Sequence, residues 1–538
     1  MKQDTYCDGY SHCHLENYMK NILLGVAFFL VTILSFGQSF EGFALYNSQG
    51  SNTTYLIDEN LNIAHTWNLS TECNYTVQLK ENGNLVRGTK NNGNQLGGAA
   101  DAGRVQEIDP LGNIVWDYIY SNSEHLSHHD LTLVGDNVLL TAWEVKTVAE
   151  VNAEGYNNTD SDKWPTHFIE LAPDGNGGAE IVWEWHIWDH LCQDNDASMP
   201  NYTAAISDHP ELIDINMIQQ MGGPGGGPDG GDWFHVNGVD YNEDLDQICF
   251  SSRFASEIYI IDHSTTTEEA ASHMGGNSGM GGDLLYRWGN PSNYGMSGTR
   301  TIPNAVHDVR WITDDGRPNG GYLQIFNNSG VSNNQSAIDG IETPFDAETG
   351  TYTLNPGEAY GPSTYTTRYA CAYSASGQSS SDRMSNGNIY VNASGGQGGA
   401  GVMYEVNTDG EIIWGPYNAQ TQKGFRYECD HPGIIALESF MNSSTSSCFT
   451  SSVSEIDASL LIYPNPTNGI VSIELGTLNQ NYTAFTVTTI SGQTIYSELI
   501  NNRTRIQFDL EGYPEGMYFV NVTNGKGEMI SQRISYLR

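Results

Sequence analysis

The chain has 538 residues, which is enough for a large core and more than one domain. Its 64 Asp and Glu residues outnumber its 22 Lys and Arg residues, and the formal net charge is −42. Such a charge argues against nucleic acid or an anionic membrane surface as a partner. In so acidic a chain, each arginine that is expected inside the protein is a candidate functional residue.

The first segment with a recognisable pattern lies near the N-terminus. Met19, Lys20 and Asn21 open a short basic region, and an apolar run of 15 residues follows at 22–36. A membrane-spanning helix needs about 20 residues, so this pattern predicts a secretory signal peptide over 19–38. A polar stretch ahead of a signal peptide is unusual, so we interpret 1–18 as an extension that precedes the true start at Met19. No other segment is expected to span a membrane.

One theme recurs between Ser39 and Phe440. A strand leads into a turn rich in Asp, Asn and Gly, and a second strand follows that ends in Trp. Five copies lie at 55–67, 105–118, 168–185, 258–290 and 403–416, and a sixth copy without Trp lies at 345–362. Each copy is predicted to be an outer β-hairpin.

A further strand pair precedes most of these hairpins, in the regions 75–89, 128–144, 235–252, 307–328 and 379–394. Four strands at a recurring spacing are typical of a propeller blade. The hairpin at 41–68 lacks an inner pair, which residues 424–437 are expected to supply. The sequence therefore predicts an all-β protein with a six-bladed β-propeller over 39–440. A seven-bladed propeller or an open β-solenoid is the alternative.

Three of the predicted inner strands begin with histidine: His129, His235 and His307. Inner strands of a propeller line a central channel, so their first residues are expected to gather at one mouth. Tyr75 holds the matching position in the second blade. In the sixth blade the match lies among Ser374, Ser376 and Gln378, of which we select Ser376.

An arginine joins this group. The strand that follows His235 returns towards the channel mouth and ends at Arg253, and Asn237 lies two residues after His235. A guanidinium presents a planar fork of donors suited to sulfate, phosphate or carboxylate. Three imidazoles, an amide and an arginine in an acidic chain predict a pocket for a tetrahedral anion.

Several motifs resemble those of bacterial arylsulfate sulfotransferases. They are HDVRW at 307–311, the block W-x-H-x-N followed by SSR at 233–253, YRWGNP at 286–291 and WEWHIWDHL at 183–191. The resemblance implies a six-bladed propeller that needs no nucleotide sulfate donor. It implies transfer of a sulfuryl group between phenols through a sulfated histidine, with His307 as nucleophile. It makes His129 and His235 accompanying histidines, and Asn237 and Arg253 a sulfate clamp.

Cysteine usage and the remaining motifs predict no metal site and no cofactor. Outside 1–18 there are six cysteines, Cys73, Cys192, Cys249, Cys371, Cys429 and Cys448, which allow 15 disulfide pairings. No CxxC spacing is present, and Cys249 is predicted to be a buried thiol. His186 and His190 are four residues apart, but no third ligand is spaced to match, so we expect them to pack at the channel mouth. The glycine-rich runs at 221–232 and 273–283 lack the Lys-Ser/Thr of a phosphate-binding loop and are interpreted as insertions.

The C-terminal region differs in character. A Ser/Thr-rich linker covers 441–458, and short alternating strands separated by Gly and Asn turns follow at 459–538. The opening YPNPTNG and the strand around Gly516, Tyr518, Val520 and Val522 resemble the C-terminal sorting domain of the type IX secretion system. The resemblance implies a small β-sandwich, the type IX machinery as a partner, and export through the outer membrane to the medium or the cell surface.

The function expected from the sequence is that of an exported sulfotransferase acting on aryl sulfates and phenols. A sulfatase-like hydrolase, in which water accepts the sulfuryl group, is a second hypothesis. A surface propeller that binds sulfated polysaccharide without catalysis is a third.

Overall fold

The computed structural model describes residues 40–48, 50–157, 161–218, 231–396, 399–442, 448, 461–474, 482–490, 492–500, 503, 505–524 and 529–537. These residues form two compact units, one within 1–449 and the other within 450–538. The predicted extension at 1–18, the predicted signal peptide at 19–38 and most of the predicted linker at 441–458 lie outside the described residues.

The described part of the first unit contains six four-stranded antiparallel sheets, with strands numbered in chain order. In hydrogen-bonded order, the first sheet contains β28 (Gly424–Glu428), β1 (Gly42–Asn47), β2 (Thr53–Ile57) and β3 (Ile63–Asn68). The second contains β4 (Cys73–Leu79), β5 (Leu85–Lys90), β6 (Gly103–Ile108) and β7 (Ile114–Ile119). The third contains β8 (His125–Val134), β9 (Asn137–Glu144), β10 (Thr166–Pro173) and β11 (Ala179–His186). The fourth contains β14 (Val236–Asn242), β15 (Gln247–Ser252), β16 (Glu257–Asp262) and β17 (Leu284–Gly289). The fifth contains β18 (Val306–Trp311), β19 (Leu323–Val331), β20 (Gln335–Ile341) and β23 (Thr367–Ala370). The sixth contains β24 (Ser380–Arg383), β25 (Ile389–Ala393), β26 (Gly401–Val406) and β27 (Ile412–Ala419).

The first strands of successive sheets touch one another in a cycle. β4 contacts β8, β8 contacts β14, β14 contacts β18, β18 contacts β24, β24 contacts β28, and β28 contacts β4. The first sheet joins the two ends of the unit, because Gly42 on β1 pairs with Glu428 on β28. Residues 424–428 therefore supply its inner strand as predicted, whereas residues 432–437 form a helix.

The outer hairpins form at a repeated turn. Its first residue is Asp or Asn, and the side-chain oxygen accepts the backbone N–H groups two and four residues later, as seen at Asp58, Asp109, Asp174 and Asn407. Such side chains offer the backbone a local partner and so favour a turn. The tryptophans that close the five predicted hairpins are buried: Trp67, Trp116, Trp185, Trp288 and Trp414. Truncating a buried Trp to Ala costs roughly 3–5 kcal/mol, so these side chains are a main source of stability.

The apolar cores lie between neighbouring sheets. Phe168 on β10 packs against Phe250 on β15, with ring centroids 5.2 Å apart, and Phe250 stacks on Tyr259 at 4.9 Å. The predicted outer hairpin at 345–362 is wrong. There β21 (Phe345–Asp346) and β22 (Thr351–Tyr352) form a separate small hairpin, and β23 completes the sheet. This segment lacks the tryptophan that anchors the other outer hairpins.

Helices are few and short in the described part of the chain. They are α1 (Val148–Ala153), α2 (Thr267–Ala270) and α3 (Pro432–Leu437), with 3-10 turns at Ile187–His190, Ile206–Asp208, Pro291–Tyr294, Ser332–Asn334 and Glu438–Phe440. No helix among the described residues is long and apolar enough to cross a bilayer. A two-stranded parallel pair, β12 (Leu191–Cys192) and β13 (Ile213–Asp214), follows the first 3-10 turn.

Two cysteines form a disulfide, Cys429 with Cys448, which closes a loop of 19 residues. The other four described cysteines are free and buried, and Cys249 is a buried thiol as predicted.

The second unit contains a three-stranded and a four-stranded antiparallel sheet. The three-stranded sheet has the order β29 (Leu461–Tyr463), β30 (Ile470–Glu474), β33 (Arg505–Asp509). The four-stranded sheet has the order β32 (Thr494–Leu499), β31 (Tyr482–Thr489), β34 (Gly516–Asn524), β35 (Met529–Tyr536). Residues from both sheets share one apolar core, to which Tyr518, Val520 and Val522 contribute as alternate positions of β34.

Candidate active site

The three predicted histidines lie at irregular starts of inner strands. The register of β8 shifts between Ser127 and Leu131, that of β14 between Val236 and Gly238, and that of β18 between His307 and Arg310. At or beside each histidine a residue has a positive φ: His129 (52°), His235 (53°) and Asp308 (53°). Bulges and left-handed residues re-aim side chains and cluster at functional sites.

The structure brings these histidines and Arg253 together. The rings of His129 and His235 meet edge to face with centroids 4.7 Å apart. The backbone N–H of Arg253 donates to the carbonyl of His235 at 3.1 Å. A Cβ atom added to Gly377 would lie 3.0 Å from Nη1 of Arg253 and 4.0 Å from Nε2 of His307. Gly377 is thus the point at which Arg253 and His307 approach each other, and a larger residue would intrude there.

His307 is fully buried and its two ring nitrogens differ. Nδ1 lies 2.8 Å from the carbonyl oxygen of Ala305 and 2.8 Å from Oδ1 of Asn328. Both partners are acceptors, so Nδ1 carries the proton and Nε2 keeps its lone pair. Nε2 has no hydrogen-bond partner among the described residues.

Electrostatics keep this imidazole neutral. Burial, reinforced by the charges of Arg253 and His235, holds the pKa of His307 well below its usual value, against the opposing hydrogen bonds to Ala305 and Asn328. Asn328 is itself held in place, because its Nδ2 donates to the carbonyls of Ala375 and Gln378. The result is an oriented, neutral imidazole whose Nε2 carries the lone pair.

The charge of Arg253 acts on His307. Its Nη1 donates to the carbonyl of Ser376 at 3.2 Å. Burial lowers its pKa from the usual value. No carboxylate among the described residues forms a salt bridge with Arg253, whereas Arg287, Arg310, Arg317 and Arg368 each have one. In a chain of charge −42, an arginine without an acidic partner is suited to bind an anionic ligand.

His235 has a carboxylate partner. Its Nδ1 hydrogen-bonds to Oδ2 of Asp232, and Oδ1 of Asp232 accepts the backbone N–H of His235 at 3.1 Å and Nε1–H of Trp143 at 3.0 Å. All three residues are buried. The carboxylate fixes which nitrogen of His235 is engaged.

His129 is accompanied by a histidine that sequence reasoning did not select. Nδ1 of His128 and Nδ1 of His129 are 2.8 Å apart, and His128 stacks on Trp143 with centroids 4.0 Å apart. Burial, reinforced by His235 and His128, holds the pKa of His129 well below its usual value. His129 is therefore neutral near pH 7.

The remaining predicted residues, Asn237, Ser376 and Tyr75, differ in burial and in contacts. Asn237 is buried, donates from Nδ2 to the carbonyl of Val306 at 2.9 Å and accepts from Ser251 Oγ at 2.7 Å. Its described contacts thus hold the residue that precedes His307. Ser376 is exposed and meets Arg253 through its carbonyl. Tyr75 lies on β4, and its side chain is outside the described part of the structure.

Beside the histidines lies a buried charge cluster that the sequence did not reveal. Nζ of Lys423 donates to Asp130 at 2.6 Å and to Asp308 at 3.0 Å, and all three side chains have no exposure. Asp130 follows His129 and Asp308 follows His307, so one lysine joins the two histidine-bearing strands.

The residues missed by sequence reasoning are His128, Asp232, Asn328, Gly377 and Lys423. Two of them stand next to selected motifs: His128 precedes His129, and Asp232 ends the first glycine-rich run. Asn328 lies on β19, the strand paired with that of His307. Gly377 and Lys423 lie far from the histidines in sequence and become neighbours only through the closed arrangement of strands.

Comparison with known proteins bears on both units. The profile of the family described as Arylsulfotransferase (ASST) matches residues 31–357, more than half of the chain. That of the Secretion system C-terminal sorting domain matches residues 461–535. No curated protein matches the chain.

Among solved structures, a protein of unknown function from Bacteroides caccae has 12% identity over 72% of this chain and 98% of its own, with a TM-score of 0.38. A protein from Lactobacillus plantarum has 11% identity over 88% of this chain and 100% of its own, with a TM-score of 0.34. The Kuenenia stuttgartiensis hydrazine synthase has 13% identity over 55% of this chain and 67% of its own, with a TM-score of 0.31.

The sorting domain at 461–535 directs the chain to the cell surface or into the medium by the type IX secretion machinery. The match over 31–357 covers the strands that carry His129, His235, Arg253 and His307. The chain belongs to the arylsulfotransferase family.

Proposed function

We propose that the protein transfers a sulfuryl group from an aryl sulfate to a phenol through a covalent sulfohistidine at His307, without a nucleotide donor. The observation that carries the proposal is the state of His307. Its Nδ1–H is held by two acceptors, and its buried Nε2 retains a lone pair with no described partner. Arg253 lies across Gly377 from this nitrogen.

In the first step, the lone pair on Nε2 of His307 attacks sulfur in line with the aryl oxygen. An N–S bond forms, the S–O bond to the aryl group breaks, and the phenolate leaves with the bonding pair. The hydrogen bonds of Nδ1–H to Ala305 and Asn328 stabilise the positive charge that the ring gains.

In the second step, the oxygen of an acceptor phenol attacks the sulfur of sulfohistidine. The N–S bond breaks, its electron pair returns to Nε2, and the new aryl sulfate leaves. The same imidazole protonates the first phenolate and deprotonates the acceptor, so no net proton is consumed. Of the two candidates we assign this role to His235, because Asp232 engages its Nδ1. Burial leaves His129 neutral.

Arg253 would hold the sulfuryl oxygens during both steps. Its guanidinium faces no described carboxylate, and its position beside the carbonyl of Ser376 sets its direction. Two N–H groups of the fork fit two oxygens of a tetrahedral anion, and charge-assisted bonds of this kind are short and strong. Asn237 supports the site by holding Val306.

The architecture that we propose for this chemistry is a six-bladed propeller over 39–440, followed after a linker at 441–458 by a β-sandwich at 459–538. Six four-stranded sheets whose inner strands touch in a cycle support the first. Two sheets around one core support the second.

Turnover of 4-nitrophenyl sulfate tests the activity. We expect release of 4-nitrophenol to depend on added phenol and phenyl sulfate to appear in equal amount. His307→Asn should reduce release to background, whereas His209→Asn, a change at a partly exposed histidine paired with Glu211, should not. Release without phenol, with inorganic sulfate as product, would instead show a hydrolase. Stoichiometric binding without turnover would show a binding protein.

A further inference from the structure

The second glycine-rich segment, 273–283, begins and ends with residues that meet His190. Oδ1 of Asp283 lies 2.8 Å from Nδ1 of His190 and 2.8 Å from Nδ1 of His273. The ligand-type atoms of the three residues all lie within 4.8 Å of one another. One carboxylate oxygen thus faces two imidazole nitrogens.

The hydrogen bonds of His190 determine what can lie between them. Its Nε2 is 2.8 Å from the carbonyl oxygen of Ala270, which can only accept, so Nε2 carries a proton. In the neutral ring Nδ1 then presents a lone pair to Asp283, another acceptor. Two acceptor atoms at this distance need a proton or a metal ion between them. An imidazole whose other nitrogen donates to a carbonyl is the usual arrangement of a metal-binding histidine.

The surroundings of His190 form a built site. Its side chain is fully buried and stacks on Trp185, with centroids 5.4 Å apart and planes 7° apart. Nε1–H of Trp185 donates to the carbonyl of Gly282 at 2.7 Å. A Cβ atom on Gly282 would lie 2.0 Å from the carbonyl oxygen of Ala270 and 2.6 Å from Nε2 of His190. Only glycine allows the segment to lie this close.

We propose that His190, His273 and Asp283 bind a zinc ion. Two imidazole nitrogens and one carboxylate oxygen are a donor set that suits Zn²⁺, which is commonly held by three protein ligands and a water molecule. The side chain of His273 is 59% exposed, which leaves that position open to water. The ion would hold the segment 273–283 against the 3-10 turn that bears His190.

His186, which sequence spacing pairs with His190, is not part of this site. Its two nitrogens lie 3.1 Å from Oε1 of Glu144 and 3.2 Å from Oε2 of Glu184. The true partners of His190 are remote, with Asp283 93 residues away in sequence. The site shares no residue with the His307 site, so the inference stands apart from the proposed function.

Calorimetric titration of the full chain with zinc chloride tests the proposal. The protein carries no histidine tag and is first stripped with EDTA. We expect saturable binding of one ion that magnesium chloride does not mimic. His273→Ala removes an exposed ligand and should weaken binding by more than about 100-fold, since even an outer-shell partner contributes 10- to 100-fold. Asp283→Asn should do the same.

His209→Ala is the matched control, because His209 is also partly exposed and also pairs with an acidic residue. Its zinc affinity should equal that of the wild type. A wild-type chain that takes up no zinc would overturn the proposal, and so would His273→Ala and Asp283→Asn variants that bind zinc as the wild type does.

Discussion

At the scale of single residues, the site depends on which polar atoms are occupied. Nδ1 of His307 has two acceptors, whereas Nε2 has no described partner. Arg253 forms no described ion pair, although the chain has an excess of 42 negative charges. A nucleophile with its proton held away from the lone pair, next to an unpaired cation, is an arrangement for attack on an anionic ester.

Arg253→Lys should reduce kcat/KM for aryl sulfates by about 10- to 100-fold, because a point ammonium cannot reproduce a fork of two donors and each charged hydrogen bond is worth roughly 1.5–3 kcal/mol. Steady-state kinetics with 4-nitrophenyl sulfate measures the effect. Arg317→Lys, at a guanidinium paired with Asp315, is the control and should behave as the wild type. Unchanged kinetics in Arg253→Lys would remove Arg253 from the site.

The histidines could be placed from sequence because they recur at matching positions of a repeat, and Arg253 because its strand returns towards His235. Asn328 could not, because its role is set by the position of His307 on the neighbouring strand. Asp232 could not either, since it stands in a glycine-rich run and nothing in the run marks it as a partner of His235. Pairings that the fold creates leave no local pattern in the sequence.

At the scale of elements, the inner strands are joined by buried charges. Lys423, just before β28, binds Asp130 on β8 and Asp308 on β18. These carboxylates also bind the next strand in the cycle, where Oδ2 of Asp130 accepts the N–H of Val239 and Oδ2 of Asp308 that of Ser381. The cluster thereby fixes the strands that carry His129 and His307.

Lys423→Met should lower the free energy of unfolding by about 3–5 kcal/mol, because it leaves Asp130 buried without its cation, whereas Asp308 keeps Arg310. Guanidinium denaturation at pH 7 measures the loss. Lys90→Met is the control: Lys90 pairs with Asp101 at 3.4 Å and its side chain is 46% exposed, so the change should cost less than about 1 kcal/mol. Equal stability of the two variants would contradict the role given to Lys423.

The elements themselves were largely predictable. Strand pairs appear where the alternation of apolar residues is bounded by predicted turns. At two of these turns, Asp109 and Asn407 accept the local backbone hydrogen bonds that favour a turn. The exception is 345–362, where a turn-rich segment has the composition of an outer hairpin but pairs only with itself. Local composition indicates a hairpin; it does not indicate which sheet the hairpin joins.

At the scale of the whole molecule, buried neutral histidines make stability depend on pH. Burial is the first cause that holds the pKa values of four histidines well below the usual value, namely His128, His129, His167 and His307. The unfolded chain binds protons near pH 6.5 and the folded chain does not, so this stability is present above pH 6.5 and is lost as the pH falls. Each histidine contributes up to about 1.4 kcal/mol per pH unit.

Denaturation between pH 6.5 and pH 5 should therefore show a steep loss of stability. His186 offsets it only slightly. Burial opposes its protonation but Glu144 and Glu184 raise its pKa to about 9, so it is protonated in the folded chain and mostly protonated in the unfolded chain below pH 6.5. His167→Gln should make the loss of stability shallower, because it removes one of these buried neutral histidines. A free energy of unfolding that is the same at both pH values would contradict this explanation.

The two units should be separable. A chain that ends at residue 458 keeps the Cys429–Cys448 disulfide, which belongs to the first unit, and should melt at the same temperature as the first unit of the full chain. A chain that ends at residue 442 lacks Cys448 and should be less stable by about 3 kcal/mol. Calorimetry measures both. Unfolding of the chain that ends at 458 would show that the C-terminal unit supports the first.

The measurement that tests the central claim most directly is identification of the residue that carries the sulfuryl group. The protein is mixed briefly with 4-nitrophenyl sulfate in the absence of phenol, digested without acid and analysed by mass spectrometry. We expect one SO₃ of added mass on His307, lost on addition of phenol and absent in His307→Asn. His129→Asn and His235→Asn should slow the transfer and leave the label on His307. A label on His129 or His235, or turnover with no label on any residue, would contradict the account.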